Sequence, residues 1–332
     1  MIFSPDSFTC VDLSAAVNKL PWQPSLLGQF FEQDSIRTTA AYIDIEKSHL
    51  KLVADSRRGT VGGVPTQNTR SAKVIPAAHL SEIDGVLPED VQDVRAFGSS
   101  EAETIAARML KKQATMRRNI EATLEYHRVG AVKGKILDAD GVTELLDLFS
   151  AFGVSKPADI NLTWPADNTG KVNPVLQAVQ EAVFTVEDAM GGVPYTSIHA
   201  ICGKDFWMHM ISNPFVRDAY NAWVSRQDAM GGDAYFANGF TFGGVTFHRY
   251  NRTVAGNTLV ASNRAEVFPV GPGIMKQIYA PADYVEAVNT DGQAFYSKME
   301  ERPFGKGYDL EVQSNPVTIC TFPEALVSIV GA

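Results

Sequence analysis

Residues 38–86 read as one long hairpin with little of its own to bury. The outgoing limb, Thr38-Thr39-Ala40-Ala41-Tyr42-Ile43-Asp44-Ile45-Glu46, alternates with the β-strand period, and His49-Leu50-Lys51-Leu52-Val53 continues it. Ser56-Arg57-Arg58-Gly59-Thr60-Val61-Gly62-Gly63-Val64-Pro65 makes a polar, basic tip with three glycines. Ser71-Ala72-Lys73-Val74-Ile75-Pro76 returns as the second limb. Limbs of ~20 residues at ~3.3 Å per residue reach ~65 Å. An isolated hairpin is marginal in water, so one of this reach implies a partner surface beneath it. Among its basic side chains, Arg57, Arg58, Arg70 and Lys73 are candidates for that contact.

The flanking segments raise the same question. Residues 1–37 read as an arm punctuated by Pro5, Pro21 and Pro24, with Trp22, Leu26, Leu27, Phe30 and Phe31 at helical spacing. An arm this apolar must be covered, either by its own domain or by a neighbouring subunit. Phe30 and Phe31 are the contact candidates for the second case. After the hairpin, Ser99-Ser100-Glu101-Ala102-Glu103 opens a long helix with acidic residues in its first turn. Ile105, Met109, Met116, Ile120 and Leu124 form one apolar stripe along it. From Ser99 to Val129 it would run ~45 Å, ending at Gly130 or Gly134. The other face carries Arg108, Lys111, Lys112, Arg117 and Arg118. That face could touch DNA, lie solvated, or pair with acidic groups on a neighbour's arm, and Arg117 and Arg118 join the contact candidates. A strand over 132–141, a helix over 142–152 and a loop over 153–172 follow.

From residue 173 the pattern alternates between helices and strands, as in a compact α/β domain. Pro174–Met190 is a helix with Val175, Val179, Val183 and Val186 on one side, broken by Gly191-Gly192. Thr196–Cys202 is a buried-type strand, 205–211 and 214–225 are helices, and Phe240–Tyr250 is a hairpin. Short strands follow at 258–261 and 265–269. Tyr308–Phe322 reads as two strands, and Ala325–Val330 closes the chain.

Nothing local carries chemistry. Formal net charge is -9 over 332 residues, which argues against a general nucleic-acid binder. Cys10, Cys202 and Cys320 are sparse and odd in number, so no disulfide framework is expected. The six histidines include no HExxH pair. Gly130–Lys135 lacks the P-loop gap and its Ser or Thr. Asp138-Ala139-Asp140-Gly141 has Phe149 where a calcium loop needs Glu. No catalytic, cofactor-binding or metal-ligating residue is expected. With no apolar run near 20 residues and no signal peptide at the start, a soluble protein made in a cytoplasm is expected, without membrane contact.

The order of parts (apolar arm, basic-tipped hairpin, long amphipathic helix, α/β domain, terminal strand pair) resembles the Hong Kong 97-type capsid fold. Within it, the chain resembles the lambda-like phage major capsid protein E family. The resemblance sits at Phe30-Phe31 with Ile36-Arg37-Thr38-Thr39, at Ser56-Arg57-Arg58-Gly59-Thr60, and at the strand pair 308–322 followed by Pro323-Glu324-Ala325-Leu326-Val327-Ser328-Ile329.

It implies an α+β fold divided into an arm (1–37), an extended loop (38–86), a peripheral domain (87–172) with a spine helix over 99–129, and an axial domain (173–300). A peripheral return strand (301–316) and a C-terminal axial strand (317–332) complete it. The implied function is an icosahedral shell of hexamers and pentamers around double-stranded DNA, bound without sequence specificity. Implied partners are the chain itself, a scaffold, a portal and a decoration protein. The implied location is the virion, assembled in a bacterial host's cytoplasm. No covalent crosslink is expected. Two other readings are an encapsulin-type nanocompartment shell and an α/β enzyme using the hairpin as a lid.

Overall fold

The computed structural model describes residues 10–20, 25–47, 69–92, 105–165, 173–229, 239–254 and 256–331. The chain divides into two compact units. One comprises Met1–Ala41, Ile75–Arg128 and Lys276–Thr318; the other comprises Tyr42–Val74, Val129–Met275 and Ile319–Ala332.

The first unit is built on α1 (Cys10–Lys19) and most of α2 (Ile105–Lys133). The stripe expected on α2 is its buried face: Met109, Met116, Ile120 and Leu124 pack in one core with Val17, Val86, Phe295, Leu310 and Val312. Leu310 and Val312 lie two apart on the central strand of an antiparallel sheet ordered Tyr296–Glu301, Tyr308–Ser314, Leu80–Val86. Period-two alternation aims both at the helix. Each fully buried Leu, Met or Ile in this core contributes about 1.5–3 kcal/mol. A second sheet places Glu32–Ser35 parallel to Met275–Tyr279, with Pro316–Cys320 on the far side.

The second unit centres on a six-stranded mixed sheet. Its order is Ile160–Leu162, Val327–Gly331, Arg264–Val270, Ser197–Cys202, Val245–Arg249, Phe240–Phe242. The inner strand Arg264–Val270 is buried at five consecutive residues, as a strand covered on both faces must be. The helices here are α3 (Leu148–Phe152), α4 (Pro174–Met190), α5 (Lys204–Ser212) and α6 (Pro214–Ala229). In α4 the local signals agree: Asn173 accepts from Leu176 N at 3.0 Å, Pro174 occupies the first turn, and Gly191 closes it at φ 57°.

Parts of both expected hairpin limbs are present, while the expected continuation over 49–53 and the tip over 56–65 lie outside the described residues. Ala40–Lys47 and Thr69–Pro76 pair as a two-stranded sheet. The hairpin does not extend to residue 86, however. The chain leaves it at Pro76, and Leu80–Val86 pairs in register with Tyr308–Ser314, from Leu80 opposite Ser314 to Val86 opposite Tyr308.

Two further expectations change. Residues 276–300, expected in the axial domain, fold with the first unit, because Tyr296–Glu301 is an edge of its sheet. The helix expected over 142–152 is a strand, Glu144–Asp147, followed by the short α3. There the Asp140 carboxylate accepts from Val142 N and Thr143 N at 2.8 Å each, an Asx-type turn that competes with helix. Asp147 then caps α3, accepting from Phe149 N at 2.9 Å. Of the two stops weighed for α2, Gly134 is the one used. The residues expected to open that helix, 99–104, lie outside the described residues.

Candidate assembly surfaces

The hairpin turns apolar groups outward. Tyr42 is 65% exposed and Val74 57%, whereas Ala41 and Ile75 beside them are buried. Within the described residues these two limbs pair with no third strand. Lys73 is half-buried. Arg57 and Arg58 lie outside the described residues, as does the side chain of Arg70.

Within the described residues the arm packs on its own chain, while residues 1–9 and 21–24, Trp22 among them, lie outside those described. Leu13 and Val17 of α1 are buried, Ser14 Oγ accepts from Ser297 N at 3.0 Å, and Asn18 Nδ2 donates to Phe295 O at 2.8 Å. Leu27, in a single 3-10 turn over Leu27–Gln29, is fully buried. Phe31, expected at a subunit contact, is 5% exposed and belongs to this intrachain packing; Phe30 is half-buried.

Arg117 is also displaced from its expected role. It is 2% exposed, its Nε donates to Glu121 Oε1 at 2.8 Å, another nitrogen reaches Val17 O, and its guanidinium lies 4.7 Å from the Phe295 ring centre. One helical turn on is a second buried pair. Glu125 accepts from Arg128 Nη1 at 3.3 Å, from Leu27 N at 3.4 Å and from Ser25 Oγ. Arg128 Nε donates to Gln277 Oε1 at 2.7 Å. The four charges recur at helical spacing (117, 121, 125, 128), but of them the sequence singled out only Arg117, as a contact candidate, and spacing alone does not say that an arm covers them.

The remaining cations of α2 do not form one open basic face. Lys112 Nζ bridges Asp84 at 3.2 Å and Asp90 at 3.4 Å, and Arg108 lies 4.0 Å from Asp90. Lys111 and Arg118 stay exposed.

Reactive chemistry is subdued. Burial pushes the Cys320 thiol up to about 12 and raises that of Cys202, which leaves both protonated and poor nucleophiles. Among the described residues no group of three or more His, Cys, Asp or Glu side chains is placed to hold a metal ion, and no helix is long and apolar enough to cross a membrane.

One buried titrating pair does stand out. His199 Nδ1 and His248 Nε2 share a hydrogen bond of 2.9 Å between neighbouring strands of the six-stranded sheet, and Ser197 Oγ meets His199 Nε2 at 2.8 Å. Burial lowers both histidines to about 4. A depressed histidine favours the neutral form in the fold, so its stability is complete above the unfolded value near 6.5 and is lost as pH falls toward 4. Two imidazolium rings at this distance repel, so the fold resists both protons that the unfolded chain takes up, and the loss by pH 4.5 is on the order of a few kcal/mol after allowing for the part-exposure of His199. Urea unfolding at pH 7 and pH 4.5 measures it. A flat profile, or an unchanged acid limb in His248→Gln, contradicts the neutral pair.

With this geometry in place, three comparisons bear on identity. The family model described as phage major capsid protein E matches residues 9–330. The major capsid protein of Pseudomonas phage KPP10 is 27% identical over 314 residues, covering 88% of this chain and 88% of that protein. The major capsid protein of Salmonella phage Felix O1 (isolate Felix O1-VT1) is 26% identical over 361 residues, covering 97% of this chain and 96% of the relative. In structure, the chain is similar to the capsid of Ralstonia phage GP4, with a TM-score of 0.54 at 8% identity, over 91% of this chain and 87% of that one. At that identity the last likeness bears on fold alone.

Proposed function

Because the chain belongs to the phage major capsid protein E family, we propose that its copies tile the icosahedral shell around a phage genome and that the hairpin is a principal joint between them. The α+β fold is the Hong Kong 97-like fold of phage capsids. In this reading the first unit is the peripheral domain, and the second, centred on the six-stranded sheet, is the axial domain that gathers in hexamers and pentamers.

The supporting observation is the hairpin itself: a two-stranded sheet with Tyr42 and Val74 turned outward. Exposed apolar groups on an unaugmented pair of strands are a liability that a neighbouring surface removes. The chain acts structurally, by contact between copies, and not as a catalyst. A scaffold, a portal and a decoration protein are its further partners, and assembly takes place in the host bacterial cytoplasm. The net charge of -9 fits a wall that surrounds double-stranded DNA without gripping its sequence.

Deleting residues 56–66 is the direct test. The variant is expected to fold, with wild-type far-ultraviolet circular dichroism and an unchanged urea midpoint, yet to yield no closed particles by electron microscopy. Normal shells from that variant would remove the hairpin from its assigned role.

A further inference from the structure

Phe304 is 94% exposed, the highest value among the large apolar side chains of the described residues. It sits at the tip of the loop joining Tyr296–Glu301 to Tyr308–Ser314, and its φ is +65°. A bulky side chain in the left-handed region is a genuine outlier that persists only where its surroundings over-determine it. Here they do. Arg302 N donates to Gly307 O at 2.9 Å and Gly305 N donates to Arg302 O at 3.1 Å. The Arg302 guanidinium grips Asp309 Oδ1 at 2.9 and 2.7 Å. The loop is thus fastened so as to hold an aromatic ring out in water, in a backbone conformation that the ring itself disfavours. Within the subunit both features are unfavourable.

Directly beside the ring lies an open cleft of about 720 Å³, walled by Leu87, Pro88, Glu89 and Gln92 together with the tip. Arg302 and Asp90 are committed inside the chain, to Asp309 and to Lys112. The charges presented outward include Lys306, whose Nζ is 5.7 Å from the Phe304 ring centre, Glu89 on the cleft, and Glu301 at the base of the same loop beside Gly305. Knob and cleft, cation and anion, therefore share one end of the first unit.

We propose that Phe304 docks into the Leu87–Gln92 cleft of a second copy of this chain, with Lys306 facing that copy's Glu89. The proposal rests on the shell reading and names one contact within it. Because each copy offers both a knob and a cleft, the contact is heterologous. It closes only as a ring of copies about a symmetry axis, the arrangement that a closed shell supplies. Buried aromatic anchors of this kind carry much of an interface's energy.

The test uses the full chain. Phe304→Gly removes the ring and relieves the strained φ, so the unassembled variant should be at least as resistant to urea as wild type. Its yield of closed particles should nevertheless fall roughly tenfold or more, as expected when an anchor is lost. Lys306→Glu and Glu89→Lys should each lower the yield, and the double variant should restore it. Mixing Phe304→Cys protein with Gln92→Cys protein under oxidation should give a covalent dimer that neither variant gives alone. Wild-type particle yield from Phe304→Gly, or no mixed dimer, overturns this contact while leaving the shell reading intact. Wild-type protein that assembles nothing, alone or co-expressed with the phage's scaffold protein, overturns both.

Discussion

Glu125→Ala is expected to destabilise the first unit by about 3–5 kcal/mol, because it strands a buried guanidinium. Arg128 is as buried as Arg117, and Glu125 is the carboxylate beside it. The same carboxylate accepts from Leu27 N and Ser25 Oγ, so the change also leaves two donors of the arm without their acceptor. Against a total stability of about 5–15 kcal/mol for a domain, that loss is a large fraction. Glu125→Gln keeps the shape and one acceptor oxygen, and should cost roughly half as much. The double variant Glu125→Met/Arg128→Leu should recover part of the loss, since apolar replacement of a whole buried pair is close to neutral. Recovery stays incomplete because Gln277 loses its partner as well. Urea midpoints give the magnitudes. Limited proteolysis gives the location: cleavage should appear first near residues 25–31. A Glu125→Ala midpoint equivalent to less than about 1 kcal/mol of loss would mean that water reaches Arg128 and that the pair is not a closed core.

This pair marks where reading by residue type stops. The apolar stripe on α2 was legible because 3.6-residue periodicity needs no knowledge of the partner surface. The same helix buries a second stripe that is charged, and nothing in Arg117, Glu121, Glu125 and Arg128 taken singly says that an arm about 100 residues earlier covers them. The hairpin shows the same division. Its limbs were legible from alternation. Its end was not, because Leu80–Val86 alternates just as well. Its pairing with Tyr308–Ser314, more than 220 residues away, is decided by the core under Leu310 and Val312. The six-stranded sheet joins Ile160–Leu162 to Val327–Gly331, an order no local pattern carries. The proposed Phe304 contact was the least legible of all. Phe304 is one aromatic in a glycine-rich loop, and only its φ and exposure distinguish it from a core residue.

Gly134→Ala and Gly191→Ala should separate cleanly, although both glycines end helices in the left-handed region, at φ +82° and +57°. An L-residue there costs about 1–2 kcal/mol, and the stiffer unfolded chain returns roughly 0.4–1 kcal/mol at either site. Those contributions are common to both. The difference is steric. At Gly191 an added methyl meets nothing within 4 Å; at Gly134 it would lie 2.2 Å from Phe149 Cε2 and 2.5 Å from Cζ. Phe149 is buried, and its backbone is pinned where Asp147 caps α3, so the ring cannot simply swing away. Overpacking of this kind costs about 1–3 kcal/mol. Gly191→Ala should therefore lose about 1 kcal/mol or less, and Gly134→Ala about 2–4 kcal/mol. Adding Phe149→Leu to Gly134→Ala should return part of the loss by opening the space. The comparison belongs to unassembled protein, because contacts that bind only the folded chain raise the apparent stability of both variants in particles. Equal losses at the two sites would mean that the Phe149 ring moves aside, and that the end of α2 is held by its turn alone.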